Sequence, residues 1–341
     1  MPAEWEKHDA TWLAWPYDPM TFPDRVERAE DAYVRIICSL LKGENVHLVV
    51  RDQAAQEKVL AKLQCELHGP GRLHFHLFDY ADVWFRDYGP IFVRNRLTGK
   101  LAMTKWTFNA WGGKYESLMK DDRIPHFINE EMRMDIFETG RILEGGSIDV
   151  NGKGSLLTTE RCLLNHNRNS QLGKKDIESL LMENLGVRHV IWLRDGIKGD
   201  DTDGHVDDIA RFVNPTTVLC AFEEDAKDEN HPILKEDFEL LSKATDQDGN
   251  RLNVIKLPMP GFVGDEDSRL PASYANFYIG NKVVLVPVFG HANDQVALGI
   301  IKRQFPGRET IGIASNDLVY GLGAIHCMTQ QQPSPGAPSS Q

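Results

Sequence analysis

Apolar positions recur at helical spacing in several stretches, and each stretch ends at a glycine-containing break followed by a short β-rich run. Val26, Ala29, Tyr33, Ile36, Ile37, Leu40 and Leu41 share one helix face before Gly43 and residues 46–50. Val59, Leu60, Leu63 and Leu67 repeat the arrangement before Gly69-Pro70-Gly71 and residues 73–78. Ile177, Leu180, Leu181 and Leu185 precede Gly186 and residues 187–193, and the stretch 232–245 precedes Gly249 and residues 252–257. Val296, Ala297, Ile300 and Ile301 then precede Gly307 and residues 310–314. Five such units predict an internally repeated α/β architecture, and periodicity alone leaves a doubly wound sheet and a closed propeller both open. No GxGxxG follows the first strand, which speaks against a dinucleotide-binding sheet. A β-hairpin is expected over residues 148–158, turning at Asn151-Gly152, a pair suited to the positive φ angles of a type I′ turn.

The chain of 341 residues has room for one large domain or two ordinary ones. No Pro/Gly/Ser-rich linker interrupts residues 1–331, so they are expected to form a single domain. Residues 332–341 (Gln332 to Gln341) are expected to be a disordered tail with nothing to bury. No apolar run approaches the roughly 20 residues of a membrane-spanning helix, and the start, Met1 to Glu6, has neither a basic segment nor an apolar one. The expected location is the cytoplasm, with no membrane partner. The formal net charge of −12 disfavours a nucleic acid partner and would attract a cation. Homo-oligomerisation is left open. Five scattered cysteines without a CxxC pair argue against a disulfide framework or a structural zinc site.

Four segments carry more polar and glycine residues than folding alone requires. In Asp82-Val83-Trp84-Phe85-Arg86-Asp87-Tyr88-Gly89-Pro90, charged and aromatic residues abut a turn. In Leu143-Glu144-Gly145-Gly146-Ser147, a carboxylate precedes two glycines that permit a close backbone approach. In Asp200-Asp201-Thr202-Asp203-Gly204-His205-Val206-Asp207-Asp208, extended backbone would aim His205 and Asp207 at one ligand. That spacing also suits a metal ion, although the EF-hand pattern fails because its twelfth-position Glu is missing. Last comes Gly321-Leu322-Gly323-Ala324-Ile325-His326-Cys327, where a glycine-spaced loop leads to a cysteine.

A single chemistry uses all four. A guanidinium is planar, permanently charged and carries five N–H donors in a fixed fork. Holding one away from water requires carboxylates, and Asp87 and Asp207 are candidates. Hydrolysing it requires a nucleophile at the central carbon, a proton shuttle and a group that orients the shuttle. Cys327, His205 and Glu144 supply those types. A non-catalytic protein that binds a cationic ligand is the competing class, but it would need neither the thiol nor the shuttle.

These segments resemble the agmatine deiminase and bacterial-type peptidylarginine deiminase group of the guanidino-modifying, or pentein, superfamily. The resemblance runs through Met1-Pro2-Ala3-Glu4-Trp5, Thr11-Trp12-Leu13-Ala14-Trp15-Pro16, Trp84 to Pro90 and Phe108-Asn109-Ala110-Trp111-Gly112-Gly113-Lys114-Tyr115. It continues through Glu144-Gly145-Gly146, Asn165-His166-Asn167-Arg168-Asn169, Gly204-His205-Val206-Asp207 and Ile325 to Gln331. It implies a five-bladed pseudo-symmetric α/β propeller and a hydrolase that converts agmatine to N-carbamoylputrescine, a step toward putrescine. By the same resemblance Cys327 forms an amidino-thioether, His205 serves as acid and then base, Glu144 orients it, and Asp87 and Asp207 clamp the guanidinium. Trp84 and Trp111 match positions near the substrate. No metal or organic cofactor is implied. Before Ile-His-Cys this chain carries Gly321-Leu322-Gly323-Ala324, where agmatine-specific members usually carry Gly-Gly-Gly-Asn, so peptidyl-arginine and free arginine stay open as substrates.

Overall fold

The computed structural model describes residues 1–63, 71–265 and 268–336. Its strands form five small sheets. Four of them share one plan: an antiparallel pair, then a helix, then a third strand parallel to the second. The second sheet joins Ile91–Arg94, Leu101–Thr107 and Asp135–Ile142, with helix Ile124–Met132 as the crossover. The third joins Asp149–Val150, Ser155–Thr159 and His189–Leu193 through helix Lys174–Leu185. The fourth joins Ala210–Asn214, Thr217–Phe222 and Asn253–Pro258 through helix His231–Lys243. The fifth joins Tyr278–Ile279, Val283–Val288 and Glu309–Ala314 through helix Asn293–Gln304.

The first sheet follows the same plan by borrowing a strand. The last strand, Gln330–Pro333, pairs antiparallel with His8–Ala14, which runs parallel to Asn45–Val50 after helix Val26–Leu40. Leu73–Leu77 adds a fourth strand at its outer edge. Both chain ends therefore meet in one sheet, and the five sheets make a five-bladed α/β propeller. Burial explains the composition. The middle strands Thr217–Phe222 and Val283–Val288 are almost wholly buried and rich in β-branched residues, as strands covered on both faces are. The third strands Asn253–Pro258 and Glu309–Ala314 are more exposed, each with a single fully buried position.

Four of the five expected helix–break–strand units are crossovers of separate blades. The unit built on Val59 and Leu60 instead adds the extra strand of the first sheet, while the crossover of the second sheet, Ile124–Met132, was not foreseen. Its helix is short, starts with a proline in the first turn and ends at Arg133 in the left-handed region, so no glycine marks it. The break expected at Gly69-Pro70 and the apolar Leu67 lie outside the described residues. Gly186, by contrast, ends helix Lys174–Leu185 in the left-handed conformation at φ 67°.

Three other expectations need correction. The tail does not begin at residue 332, because Gln332 and Pro333 belong to the last strand and Ser334 donates its N–H to the Lys7 carbonyl. Residues 337–341 lie outside the described residues. The hairpin turns over residues 151–154 rather than two residues, because the Asn151 carboxamide oxygen accepts the N–H groups of Lys153, Gly154 and Ser155. Cys38 is in a disulfide, whereas Cys162, Cys220 and Cys327 are free thiols. No helix among the described residues is long and apolar enough to cross a membrane.

One buried ionic network joins the blades. The carboxylate of Glu4 pairs with Arg211 at 2.9 Å and Arg86 at 3.2 Å and contacts the His326 ring at 2.8 Å, and it accepts the Ile279 N–H at 2.8 Å. Arg211 continues to Asp149 at 2.6 Å and donates to the carbonyls of Ala275 and Phe277. Burial alone would raise the Glu4 pKa, but Arg211, His326 and Arg86 outweigh it and hold the carboxyl well below its usual range. Its contribution to stability is therefore complete above the ordinary carboxylate pKa and is lost only as pH falls through the depressed folded value. Removing that charge as Glu4→Gln leaves two arginines underpaired and is expected to lower the unfolding free energy by about 3–5 kcal/mol at neutral pH. Chemical denaturation checks this, and a loss below about 1 kcal/mol would mean that the network is dispensable.

Candidate active site

In every blade the inner strand of the antiparallel pair is preceded by a short turn, and these turns bring the candidate residues together. Asp87 lies in the turn Phe85–Tyr88 before Ile91–Arg94. Glu144 caps the turn Gly145–Ser147 before Asp149–Val150. His205 caps, and Asp207 belongs to, the turn Val206–Asp208 before Ala210–Asn214. Cys327 sits in the turn Ile325–Met328 before Gln330–Pro333. Candidates far apart in sequence thus occupy corresponding places in four blades and converge.

Their contacts follow from that convergence. Asp87 accepts the Trp111 indole N–H at 2.9 Å and the Gly146 N–H at 3.0 Å, and its Oδ1 lies 3.7 Å from His205 Nδ1. A methyl group on Gly146 would stand 2.6 Å from His205 Nδ1, 2.9 Å from Asp87 Oδ1 and 3.0 Å from Asp207 Oδ2, so only glycine permits this approach. Asp207 Oδ2 bonds His326 Nδ1 at 2.7 Å, while its Oδ1 has no protein partner. Both ring nitrogens of His205 are also unpartnered. Buried polar groups are normally satisfied, so these atoms mark a place built for something that arrives and leaves.

Glu144, expected to orient His205, is held by a different partner. Arg168 Nε takes Glu144 Oε1 at 2.6 Å, and Glu144 Oε2 is unpartnered although it lies in the same cluster as the His205 ring. The acidic loop considered for a metal is instead a hydrogen-bonded turn that fixes His205. Asp200 accepts from Thr202 and from the Gly204 N–H, Asp201 accepts from Tyr115, and Asp203 accepts from Asn167, Arg168 and Lys114.

Electrostatics divides the titrating groups. Burial, then the charges of Asp207 and Glu144, push the Asp87 pKa well above its ordinary value. Burial raises Glu144 too, against the pull of Arg168. Burial also acts to raise Asp207, but the His326 hydrogen bond and charge prevail and hold it below its usual range. His205 is pushed down to about 3 by burial, against the opposing charge of Asp207. The Cys327 thiol is driven well above its ordinary value by burial and then by Asp207, Asp208 and Asp87. Burial thus favours the neutral forms of both the thiol and the imidazole.

A cavity of about 330 Å³ opens onto this cluster. Trp84 and Trp111 form part of its wall, Asp87 and Cys327 reach it, and its acids are Asp18, Asp82, Asp87 and Asp201, with no lysine or arginine. Trp84 is fixed by its indole N–H to Asp82 at 3.1 Å and packs over Gly323, where a Cβ would meet the ring at 2.4 Å. His205, Glu144 and Asp207 lie behind the wall at 1%, 0% and 0% exposure.

Sequence reasoning missed four buried participants: Glu4, His326, Asp208 and Asn276. Glu4 and His326 stood inside quoted motifs with no chemical rationale attached. Asn276 sits in the stretch Ala272 to Tyr278, which has no charge, glycine or histidine to draw notice.

The chain is 38% identical to the agmatine deiminase of Stutzerimonas stutzeri, over 98% of this chain and 95% of that protein. It is 37% identical to the agmatine deiminase of Medicago truncatula, over 98% and 96%. Its structure superposes on the agmatine deiminase of Enterococcus faecalis with a TM-score of 0.92 at 34% identity, covering 98% of this chain and 96% of the other. The pattern of the Porphyromonas-type peptidyl-arginine deiminase family matches residues 1–333, and together with these relatives it shows that the chain belongs to that family.

Proposed function

We propose that the protein is a hydrolase that converts agmatine to N-carbamoylputrescine and ammonia. The observation that carries this reading is the cavity: a thiol and four carboxylates face it, with no cation in its wall. Such a lining suits a substrate that is cationic at both ends. Free arginine would bring an α-carboxylate that meets acids and no lysine or arginine among the described residues of that wall. The naming of the relatives as agmatine deiminases supports the same substrate. A cytoplasmic setting, without nucleic acid or membrane partners, belongs to this reading on composition alone.

In the proposed mechanism Asp87 and Asp207 pair with the guanidinium, whose positive charge offsets their repulsion. The Cys327 proton passes to His205 as the sulfur adds to the guanidinium carbon, and that proton leaves with ammonia when the C–N bond breaks. The amidino-thioether then adds water, whose proton returns to His205, and C–S cleavage releases the ureido product and restores the thiol. Glu144 holds the imidazolium by charge across a short gap, with Arg168 fixing its carboxylate. A pure cation-binding protein would need neither the free thiol nor the unpartnered imidazole.

Ammonia release from a panel of guanidines tests the substrate. kcat/KM for agmatine should exceed that for free arginine and for a blocked arginine ester by roughly 10- to 150-fold, the worth of one charge-assisted contact. A preference for the ester would shift the reading to peptidyl-arginine. Cys327→Ser should remain folded and turn over at less than about a hundredth of the wild-type rate, because a serine hydroxyl stays protonated near neutral pH. Ammonia release at wild-type rate would remove Cys327 as the nucleophile.

The raised Asp87 pKa gives a binding test with a definite sign. Asp87 holds a proton in the empty site and must lose it to pair with the cation, so affinity falls as pH drops below the raised free-site pKa. In Cys327→Ala, calorimetric affinity for agmatine should keep rising with pH well above the ordinary carboxylate range of about 4, with a proton released on binding. A flat profile from about pH 5 upward would show that Asp87 is already ionised.

A further inference from the structure

Four blades deliver the residues assigned to the reaction, and the fifth delivers Asn276. It stands two positions before Tyr278–Ile279, the inner strand of that blade, in the place held by Asp87, Glu144, Asp207 and Cys327 in theirs. Its side chain is fully buried and aimed at the nucleophile. The carboxamide nitrogen donates to Cys327 Sγ at 3.1 Å and to Asp208 Oδ1 at 3.0 Å. The carboxamide oxygen accepts the N–H of His326 at 2.9 Å and that of Cys327 at 3.4 Å.

These four bonds use both hydrogens and both lone pairs of the amide. They also fix which way it faces. Turned over, its oxygen would confront Asp208 while its NH₂ confronted two backbone N–H groups, so the nitrogen must point at the sulfur. We propose that Asn276, anchored by Asp208, is the positioning residue of the nucleophile, holding the Cys327 sulfur in place and stabilising its thiolate with an amide hydrogen bond. The proposal rests on Cys327 being the nucleophile.

The sulfur otherwise lies among the charges of Asp207, Asp208 and Asp87, opposed by a backbone hydrogen bond from Ala324. Asp207 Oδ2 is 3.7 Å from Sγ, and the carboxyl groups of Asp207 and Asp208 both cluster with it. When the thiol proton departs, an interaction with Asp207 through that proton is lost and turns repulsive. The Asn276 N–H then strengthens, because a hydrogen bond to a charged acceptor is roughly twice as strong as a neutral one. Asn276 is thus a nearby donor that favours the charged form of the sulfur. Asp208 keeps the second amide hydrogen occupied, so the amide cannot rotate away, and its backbone carbonyl is itself held by the Ser273 hydroxyl at 2.7 Å.

Two variants, Asn276→Ala and Asn276→Asp, test this in the full chain. Asn276→Asp keeps the acceptor for both backbone N–H groups and puts an oxygen where the nitrogen faces both the sulfur and Asp208, and the same readouts on it serve if Asn276→Ala does not fold. The readouts are kcat and KM for agmatine and the pH dependence of Cys327 alkylation by iodoacetamide, followed by intact mass. kcat should fall by roughly 10- to 100-fold with KM changed by less than about threefold, and the alkylation midpoint should move up by about 1 to 2 pH units. A merely structural asparagine would leave that midpoint in place in Asn276→Ala, which adds no charge beside the sulfur. Wild-type kcat and midpoint in Asn276→Asp, or a rise in KM alone, would overturn the proposal while Cys327→Ser remained inactive. Full turnover in Cys327→Ser would overturn the nucleophile assignment instead, which keeps the two failures distinct.

Discussion

The carboxylate of Glu4 is the constraint on which the site depends. Five blades that meet at one axis must bury the starts of their inner strands, and this chain fills that space with ions rather than with hydrocarbon. Glu4 faces Arg86 from the second blade, Arg211 from the fourth and His326 from the closing turn, and it receives the Ile279 N–H from the fifth. Unpaired, any of these charges would be very costly to bury. Paired, they fix the relative heights of the blades, because each pair closes only when its two strands are in register.

That network does not stop beneath the site. His326 binds Glu4 through one ring nitrogen and Asp207 through the other, so the ionised state of Asp207 is maintained from below. Asp87, a neighbour in the same cluster, has no such partner, and burial with the charges of Asp207 and Glu144 pushes its pKa up instead. Two carboxyls of one type are thereby set to opposite states, as crowded like charges must be. In the function proposed above a guanidinium is the third party, since it can pair with both once Asp87 yields its proton.

How much of this was legible in the sequence follows from where the information sits. The crossover helices with a wide apolar stripe and a glycine stop were readable, as Lys174–Leu185 with Gly186 shows. Helix Ile124–Met132 was not, because nine residues ending at an arginine in the left-handed region leave neither a long period nor a breaker. The count of five units agreed with five blades partly by accident, since the extra strand of the first sheet replaced the crossover that was overlooked. At the site, residue type betrayed Cys327, His205, Asp87 and Glu144, because thiols, imidazoles and carboxylates beside glycines invite a chemical question. Glu4 and Asn276 act through partners more than 200 and 50 positions away, respectively, and nothing local announces such a role. The hold of Arg168 on Glu144 was missed for a similar reason: the arginine comes from a loop 24 residues on.

The backbone around the cavity carries its own share of the design. Among the described residues, six non-glycine positions have positive φ: Asp24, Ala110, Trp111, Arg133, Asp203 and Leu322. Trp111 and Leu322 line the cavity, Ala110 precedes Trp111, and Asp203 holds Arg168 beside Glu144, so four of the six surround the site. Each such residue costs on the order of 1–3 kcal/mol and persists only where its surroundings over-determine it. Here the surroundings are polar and directional: the Trp111 indole is pinned by Asp87, and Asp203 is gripped by Asn167, Arg168 and Lys114. Apolar packing could tolerate a shifted side chain, whereas these hydrogen bonds lose most of their value within a few tenths of an ångström. Strain and hydrogen bonds together therefore hold the walls of the cavity more rigidly than packing alone would. A planar, forked cation can be recognised only by groups that are already in place when it arrives.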